Sequence, residues 1–445
     1  MGEILKTSEA LWTGITDTIK QHPFGRPWGI EKITDNTWFY KSFANMIIHE
    51  TSDGLVIIDP GMKFDAETKY NAVREVTDQP LRIAVFTHGH LDHISGIPLY
   101  VKEAEQNDWP LPKVIAHEAL PDRFKRYRAT ASWKGYIDGR QFFGGGKVET
   151  DLDYYFPDIT YKDRTDVTLG GSRALLRHAR AETDDHTWVY LVEDRILCTG
   201  DLFIWAVPNA GNPQKVQRYA EEWAVALREM AALEPKYLLP GHGFPIVGVK
   251  RVNRALLDTA AYLESLVEQT LAQMNQGVAL DTIVHSVTVP KKLLNKPYLK
   301  PIYDEPQFIV RNIWRLVGGW YDGMPSHLKP APEADQAKEI AKLAGGVTKL
   351  LARAKKLAKK GDLRMACHLA EWAVQASPKN KTIRKTAADI FNARAESEIS
   401  TMAIGIYRSF AKELEGSSHT DPQKGTVIQS QRKRGEKKKP SRKKK

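Results

Sequence analysis

The chain has 445 residues, enough for two or three domains, and its 42% hydrophobic and 27% charged composition is that of an ordinary globular protein. Its two cysteines, Cys198 and Cys367, lie far apart, which excludes a disulfide scaffold and a cysteine-based zinc site and predicts a reducing, cytoplasmic compartment. The net charge of +11 is mostly local: residues 431–445 hold ten Lys or Arg and one Glu, a net +9 that leaves +2 for everything before them.

The first twenty residues contain no apolar core of a secretory leader, and no run of about eighteen apolar residues predicts a membrane span. "TWFYKSF" and "ANMIIHETSDGLVIIDPG" then read as strands in hairpin arrangement, with Ser52-Asp53-Gly54 at a turn. "LRIAVFTHGHLDH" is an apolar strand that runs into a cluster of histidines. "KVIAHEAL", "SRALLRHAR", "TWVYLVEDRILCTGD" and "KYLLPGHG" are further strands, and "QRYAEEWAVALREMAAL" has helical periodicity between them. From about residue 250 the pattern turns helical. Beyond Pro330 and Pro332, helices joined by short turns have a tetratricopeptide-like cadence. The boundaries expected are 1–250, 251–416 and a disordered basic tail over 417–445.

The chemistry concentrates at strand ends. His88, His90, Asp92 and His93 fall within six residues, and His186, Asp201 and His242 each stand at the edge of a predicted strand. Imidazoles and carboxylates are the ligands that suit zinc where thiolates are absent. Alternation in His88-Gly89-His90 can direct two imidazoles at one ion while Asp92 and His93 serve a second.

"THGHLDH", "HTWVYL", "TGD" and "PGHG" together resemble the four successive ligand motifs of the metallo-β-lactamase superfamily. The resemblance implies an αββα sandwich, so that the whole is an α+β chain with an all-α domain after it. It implies two Zn²⁺ ions: His88, His90 and His186 on the first, Asp92, His93 and His242 on the second, and Asp201 bridging. Asp59, in "IIDPG", matches the strand-end aspartate that orients the ligands. A metal-bound hydroxide would be the nucleophile, with Asp92 and Asp201 as the catalytic carboxylates. His178, in "LLRHAR", reads as a support and not a ligand.

The region "YDEPQFIVRNIWRLVGGWYDGMPSHLKP", with the helices that follow, is similar to the dimerisation domain of alkyl sulfatases, which hydrolyse sulfate esters of fatty alcohols. That implies a homodimer and a small anionic ester as substrate. Asn209, Asn212, Lys215 and Arg218, after Asp201, and Arg140, in "GYIDGRQFFGG", are then candidates for contact with the sulfate. The chain departs from alkyl sulfatases in carrying His186 and Asp201 where those enzymes carry glutamates. Its basic tail stands where they continue into a sterol-carrier-like domain. A lactonase, thioesterase or glyoxalase-like activity on the same scaffold is the alternative. A nuclease or nucleic-acid-binding protein is a further one, because the tail suits non-specific polyanion contact.

Overall fold

The computed structural model describes residues 2–149 and 152–416. The tail expected over 417–445 lies outside the described residues. The chain divides into two compact units, one of residues 1–131 with 151–328 and one of residues 132–150 with 329–445.

The first unit holds two sheets. Strands β1 (Gly29–Thr34), β2 (Thr37–Lys41), β3 (Met46–Thr51), β4 (Gly54–Ile58), β5 (Leu81–Val85), β6 (Lys113–His117) and β7 (Ile159–Tyr161) lie in sequence order. The β1–β4 pairings are antiparallel and the β4–β7 pairings parallel. Strands β8 (Arg164–Leu169), β9 (Ser172–His178), β10 (Thr187–Leu191), β11 (Ile196–Gly200), β12 (Tyr237–Pro240) and β13 (Ile246–Val247) make the second sheet, in which only β11 and β12 are parallel.

Burial along β4 explains the layering. All five of its residues are buried, and successive side chains go to different cores. Val56 and Ile58 join Phe39, Ile47 and Val85 against Leu176, Val189 and Leu191 of the second sheet. Leu55 and Ile57 join Ile48, Ala84 and Val114 against helix residues Val73, Ile97, Tyr100 and Phe124. A strand covered on both faces must be apolar at every position, which is why it reads as a run and not an alternation. Helices Ala220–Ala232 and Val249–Met274 cover the other face of the second sheet, with Trp223, Leu227, Val252 and Leu256 fully buried. The order is therefore helix, sheet, sheet, helix, the αββα sandwich expected.

The division between units differs from the boundary expected at residue 250. Helix Val249–Met274 buries ten residues, and Leu256, Tyr262 and Leu263 join the sandwich core, so the first unit continues to residue 328. Residues 132–150, which the sequence places inside the first domain, belong to the second unit. That unit is helical, as expected. Helices Glu333–Leu343, Val347–Lys359, Leu363–Ala376, Lys381–Glu396 and Thr401–Glu415 share a core of Leu350, Ala354, Ala370, Ala387, Phe391 and Leu414. Three of the junctions are capped by side chains: Asp362 accepts from the Met365 N–H, Asn380 from Thr382 and Ile383, and Ser400 from Ala403.

Candidate metal centre

Parallel strands end at one edge of a sheet, and here their C-terminal ends carry the polar residues. Asp59 follows β4, His88 and His90 follow β5, Asp201 follows β11 and His242 follows β12. Among the described residues, three groups of ligand atoms converge: His88, His93 and Asp201; Asp92, His93 and His242; and His90, Glu182 and Asp201. Asp201 belongs to two of them.

The imidazoles are oriented from behind. The Asp59 carboxylate accepts from the Thr87 N–H at 2.8 Å, the Thr87 hydroxyl at 2.7 Å and His93 Nδ1 at 2.8 Å. Having given its proton to Asp59, the Thr87 hydroxyl accepts from His88 Nδ1 at 3.0 Å. His242 Nδ1 donates to the Phe43 carbonyl. Each of these bonds puts the proton on Nδ1 and leaves the Nε2 lone pair of His88, His93 and His242 facing inward. Gly89 is tied by its N–H to Asp185 Oδ2 at 2.9 Å. A Cβ on Gly89 would lie 2.6 Å from the Arg123 side chain, which itself pairs with Asp185, so His88-Gly89-His90 fits there only as glycine.

The inward atoms fit a metal pair. His93 Nε2 is 3.4 Å from both Asp92 Oδ2 and Asp201 Oδ1, and His242 Nε2 is 3.5 Å from Asp92 Oδ2 and 3.3 Å from Asp201 Oδ2. His93 Nε2 and Asp201 Oδ1 are buried without a hydrogen-bond partner. Two ligands at ~2.0–2.1 Å from a tetrahedral zinc ion stand about 3.3–3.4 Å apart, which is this spacing. On the other side His90 Nδ1 lies 3.6 Å from Glu182 Oε1 and 2.8 Å from His88 Nε2.

Burial sets the charge states. It pushes the Asp201 and Asp92 carboxyls up, but the surrounding imidazoles, His242 and His93 foremost for Asp201, outweigh it and hold both below the usual carboxylate range. Burial also lowers His88 and His90 well below the ordinary imidazole value, which keeps them neutral, as ligands must be. Glu182 is pushed up to about 7, chiefly by burial, against the pull of Arg218.

Two sets of residues named from the sequence are placed otherwise than expected, although His186 Nδ1, like His93 Nε2, is buried without a hydrogen-bond partner. His186 is buried in the cluster, its ring stacked on His88 with centroids 4.6 Å apart. Its Nε2 faces the Thr199 carbonyl at 3.3 Å, and it joins none of the converging groups. Glu182, four residues earlier in the same β9–β10 loop, converges with His90 and Asp201. It was missed because a loop has no periodicity to say which residue turns inward. The signal available was an acid in that loop, in a chain similar to enzymes that carry a glutamate there.

The second set is the sulfate-contact candidates. Arg218 Nη1 donates to Glu182 Oε1 at 2.7 Å and to the Glu182 carbonyl at 3.0 Å, and Asn209 Nδ2 donates to the same Oε1 at 2.7 Å. Both are buried and hold the glutamate. Asn212 is buried and accepts from the Gln214 N–H at 3.1 Å, while Lys215 is half-buried in the same segment. Arg140 lies in the second unit, over the Trp133 ring at 5.3 Å. His178 is a support, donating from Nδ1 to the His186 carbonyl at 2.9 Å.

The mouth is marked by exposure. His90 and Asp92 keep 20% and 18% of their side chains open, whereas His88, His93, His242 and Asp201 keep 5% or less. Beside the mouth, Phe24 packs on His242 with centroids 4.3 Å apart, and also on Phe43 and Tyr303.

Comparison with known proteins agrees with this geometry. Residues 40–242 match the metallo-beta-lactamase superfamily and residues 279–417 match the alkyl sulfatase dimerisation family. A linear primary-alkylsulfatase of Pseudomonas sp. is 27% identical over 84% of this chain and 74% of its own length. The alkyl/aryl-sulfatase BDS1 of Saccharomyces cerevisiae is 26% identical over 81% of this chain and 60% of its own. An (R)-specific secondary-alkylsulfatase of Pseudomonas sp. is 27% identical over 83% and 60%. This chain thus spans three quarters of the first relative and three fifths of the other two. The crystal fold of the stereoselective inverting sec-alkylsulfatase Pisa1 from Pseudomonas sp. superposes with a TM-score of 0.78 over 88% of this chain and 66% of that one, at 23% identity. With the sandwich, the ordered ligand motifs and the helical domain all in place, the chain is similar to alkyl sulfatases, with a metallo-β-lactamase superfamily match over residues 40–242 and an alkyl sulfatase dimerisation match over residues 279–417.

Proposed function

We propose that the protein is a dinuclear zinc hydrolase of sulfate esters, most suited to esters of apolar alcohols. The observation that carries this reading is the shared carboxylate, Asp201, within reach of His93 and His242 on one side and grouped with His90 and Glu182 on the other. In this reading Asp92, His93 and His242 hold one ion and His88, His90 and Glu182 the other, with Asp201 common to both. Glu182 takes the ligand place that the family resemblance implies for His186. Two zinc ions held by these residues would supply a water of lowered pKa and offset negative charge developing on the substrate.

The chain's own residues do the rest. Asp92, ionised and partly open at the mouth, orients the attacking water or accepts its proton. Arg218 and Asn209 fix Glu182 so that it does not swing away from His90. Phe24 and Phe43, both half-buried beside His242, offer an apolar wall to the organic group of the ester. Burial holds the Tyr303 hydroxyl protonated far above neutral pH, so near these groups it is a hydrogen-bond donor and never an anion.

The active form in this reading is a homodimer. The apolar residues of 308–321 divide in the structure. Ile313 is core and Trp314 packs against it, while Leu316, Val317, Trp320 and Tyr321 are exposed, with Met324 and Leu328 beyond them. Such a strip on a segment matching a dimerisation family is suited to a second copy.

The test is turnover on a panel of alkyl sulfates, lactones, thioesters and RNA by zinc-loaded protein. Sulfate esters should be hydrolysed best, with kcat/KM rising with alkyl length. Preference for a lactone or thioester would keep the metal centre and replace the substrate. Preference for RNA would reject the reading.

A further inference from the structure

Two lysines of the first unit are fully buried, a rare state for this residue, and neither is a metal ligand. Lys41, at the end of β2, donates to the carbonyls of Pro23, at 3.1 Å, and of Ser42, and its amine lies 5.4 Å from the Phe244 ring centroid. Lys69 donates to the Ala44 carbonyl at 2.7 Å and pairs with Asp65 at 3.2 Å. Its amine is admitted by Gly61, where a Cβ would sit 2.2 Å from Nζ. The Phe43 carbonyl, between Ser42 and Ala44, accepts from His242 Nδ1.

Three successive carbonyls of one loop are thus each taken by a side-chain donor, and the middle donor is a residue of the metal centre. The same loop is stitched to the His242 segment by Asn45. Its N–H donates to the Gly241 carbonyl at 2.7 Å, and its side chain to the carbonyls of Pro240 at 2.9 Å and Gly243 at 3.1 Å. An isolated run of peptide carbonyls buried without partners would be costly, and a loop free to turn its carbonyls elsewhere would let the His242 ring rotate.

We infer that Lys41 and Lys69 are positioning residues that act through the 42–44 backbone to hold the Phe43 carbonyl on His242 Nδ1, fixing the tautomer and direction of that imidazole. Lys41 ends β2 and Lys69 lies in helix Ala66–Val76, and both amines are fully buried, so neither reaches substrate. The inference rests on His242 being a ligand in the proposed reading, and the readouts separate the two.

The first readout needs no metal. In metal-free protein with ¹⁵N-labelled histidine, His242 should be a single Nδ1–H tautomer. Lys69→Met and Lys41→Met, each keeping the stem and removing the donor, should give a mixture or the Nε2–H form. The second readout is zinc affinity by chelator competition. Either variant should weaken the weaker of the two sites by at least tenfold in parent protein, but by no more than twofold in a His242→Ala background. A fixed Nδ1–H tautomer in both variants overturns the inference whether or not zinc binds. So does a loss of affinity that is as large without His242 as with it, which is what a merely loosened fold would produce. Absence of zinc binding by the parent protein would count against the metal reading alone, because the tautomer still decides the role of the lysines. The two lysines are separate variants, so failure of one to fold leaves the other to decide.

Discussion

Asp201 Oδ1 and His93 Nε2 stand 3.4 Å apart, both buried, and the far side of the His93 ring is held by Asp59 at 2.8 Å. A buried carboxylate facing an imidazole nitrogen at this distance is stable only with positive charge between them, a proton on His93 or a metal ion. A divalent metal ion between them, held by both, meets that requirement.

Asp59 makes no contact with the mouth, yet it accepts from Thr87 twice and from His93. Asp59→Asn replaces one acceptor oxygen by a donor, so it disturbs His93 directly and His88 through Thr87. Zinc affinity should fall by about 10–100-fold. Competition against a chelator measures it, and activity should return when zinc is added in excess.

Glu182 and His186 compete for one role. Glu182→Gln should leave the protein folded but lower zinc retention to near one ion per chain, since its oxygen is the one converging with His90 and Asp201. His186→Asn should lower Tm, because it removes a ring stacked on His88, and keep two ions. Elemental analysis after dialysis checks both, and the opposite pattern would restore the assignment made from sequence.

That exchange shows where sequence reading works and where it stops. The strands were readable because β4 and β10 are buried at every position and read as runs, while β5 turns apolar and buried as it approaches the histidines. The ligands at their ends were readable because HxHxDH, TGD and PGHG keep fixed offsets from those strands. Glu182 sits in a loop whose path depends on Arg218 and Asn209, brought in from 36 and 27 residues away, and no local pattern encodes that. The same long range hid where residues 249–274 pack. Helix Val249–Met274 has the periodicity of any amphipathic helix, and only its packing on Ala220–Ala232 places it with the sandwich.

Lys41 gives a pH signature of stability. Burial lowers its amine to about 7 in the folded chain, so the unfolded chain binds more protons between about pH 7 and 10. Stability from this site should therefore rise with pH across that window and be lost as pH falls through 7. The difference in unfolding free energy between parent and Lys41→Met protein should change in that direction, by at most about 1.4 kcal/mol per pH unit. Denaturant titrations at pH 7, 8 and 9 measure it, and a flat difference would contradict the assignment.

The exposed strip over 316–328 predicts its own disruption. Val317 and Trp320 are 60% and 69% exposed, and the pair Val317→Asp with Trp320→Lys should convert a dimer to a monomer at micromolar concentration without lowering Tm by more than a few degrees. Light scattering reads the mass. A parent protein that is already monomeric would reject the dimer.

Two ions shared through Asp201 should be what makes the protein a sulfate ester hydrolase. Titrating zinc into metal-free protein while following hydrolysis of octyl sulfate tests it in one measurement. The rate should be at background without zinc and climb to a plateau at two equivalents per chain, and Asp201→Ala should remain at background throughout. A plateau reached at one equivalent, turnover that survives in Asp201→Ala, or no sulfate released at any zinc level would contradict it.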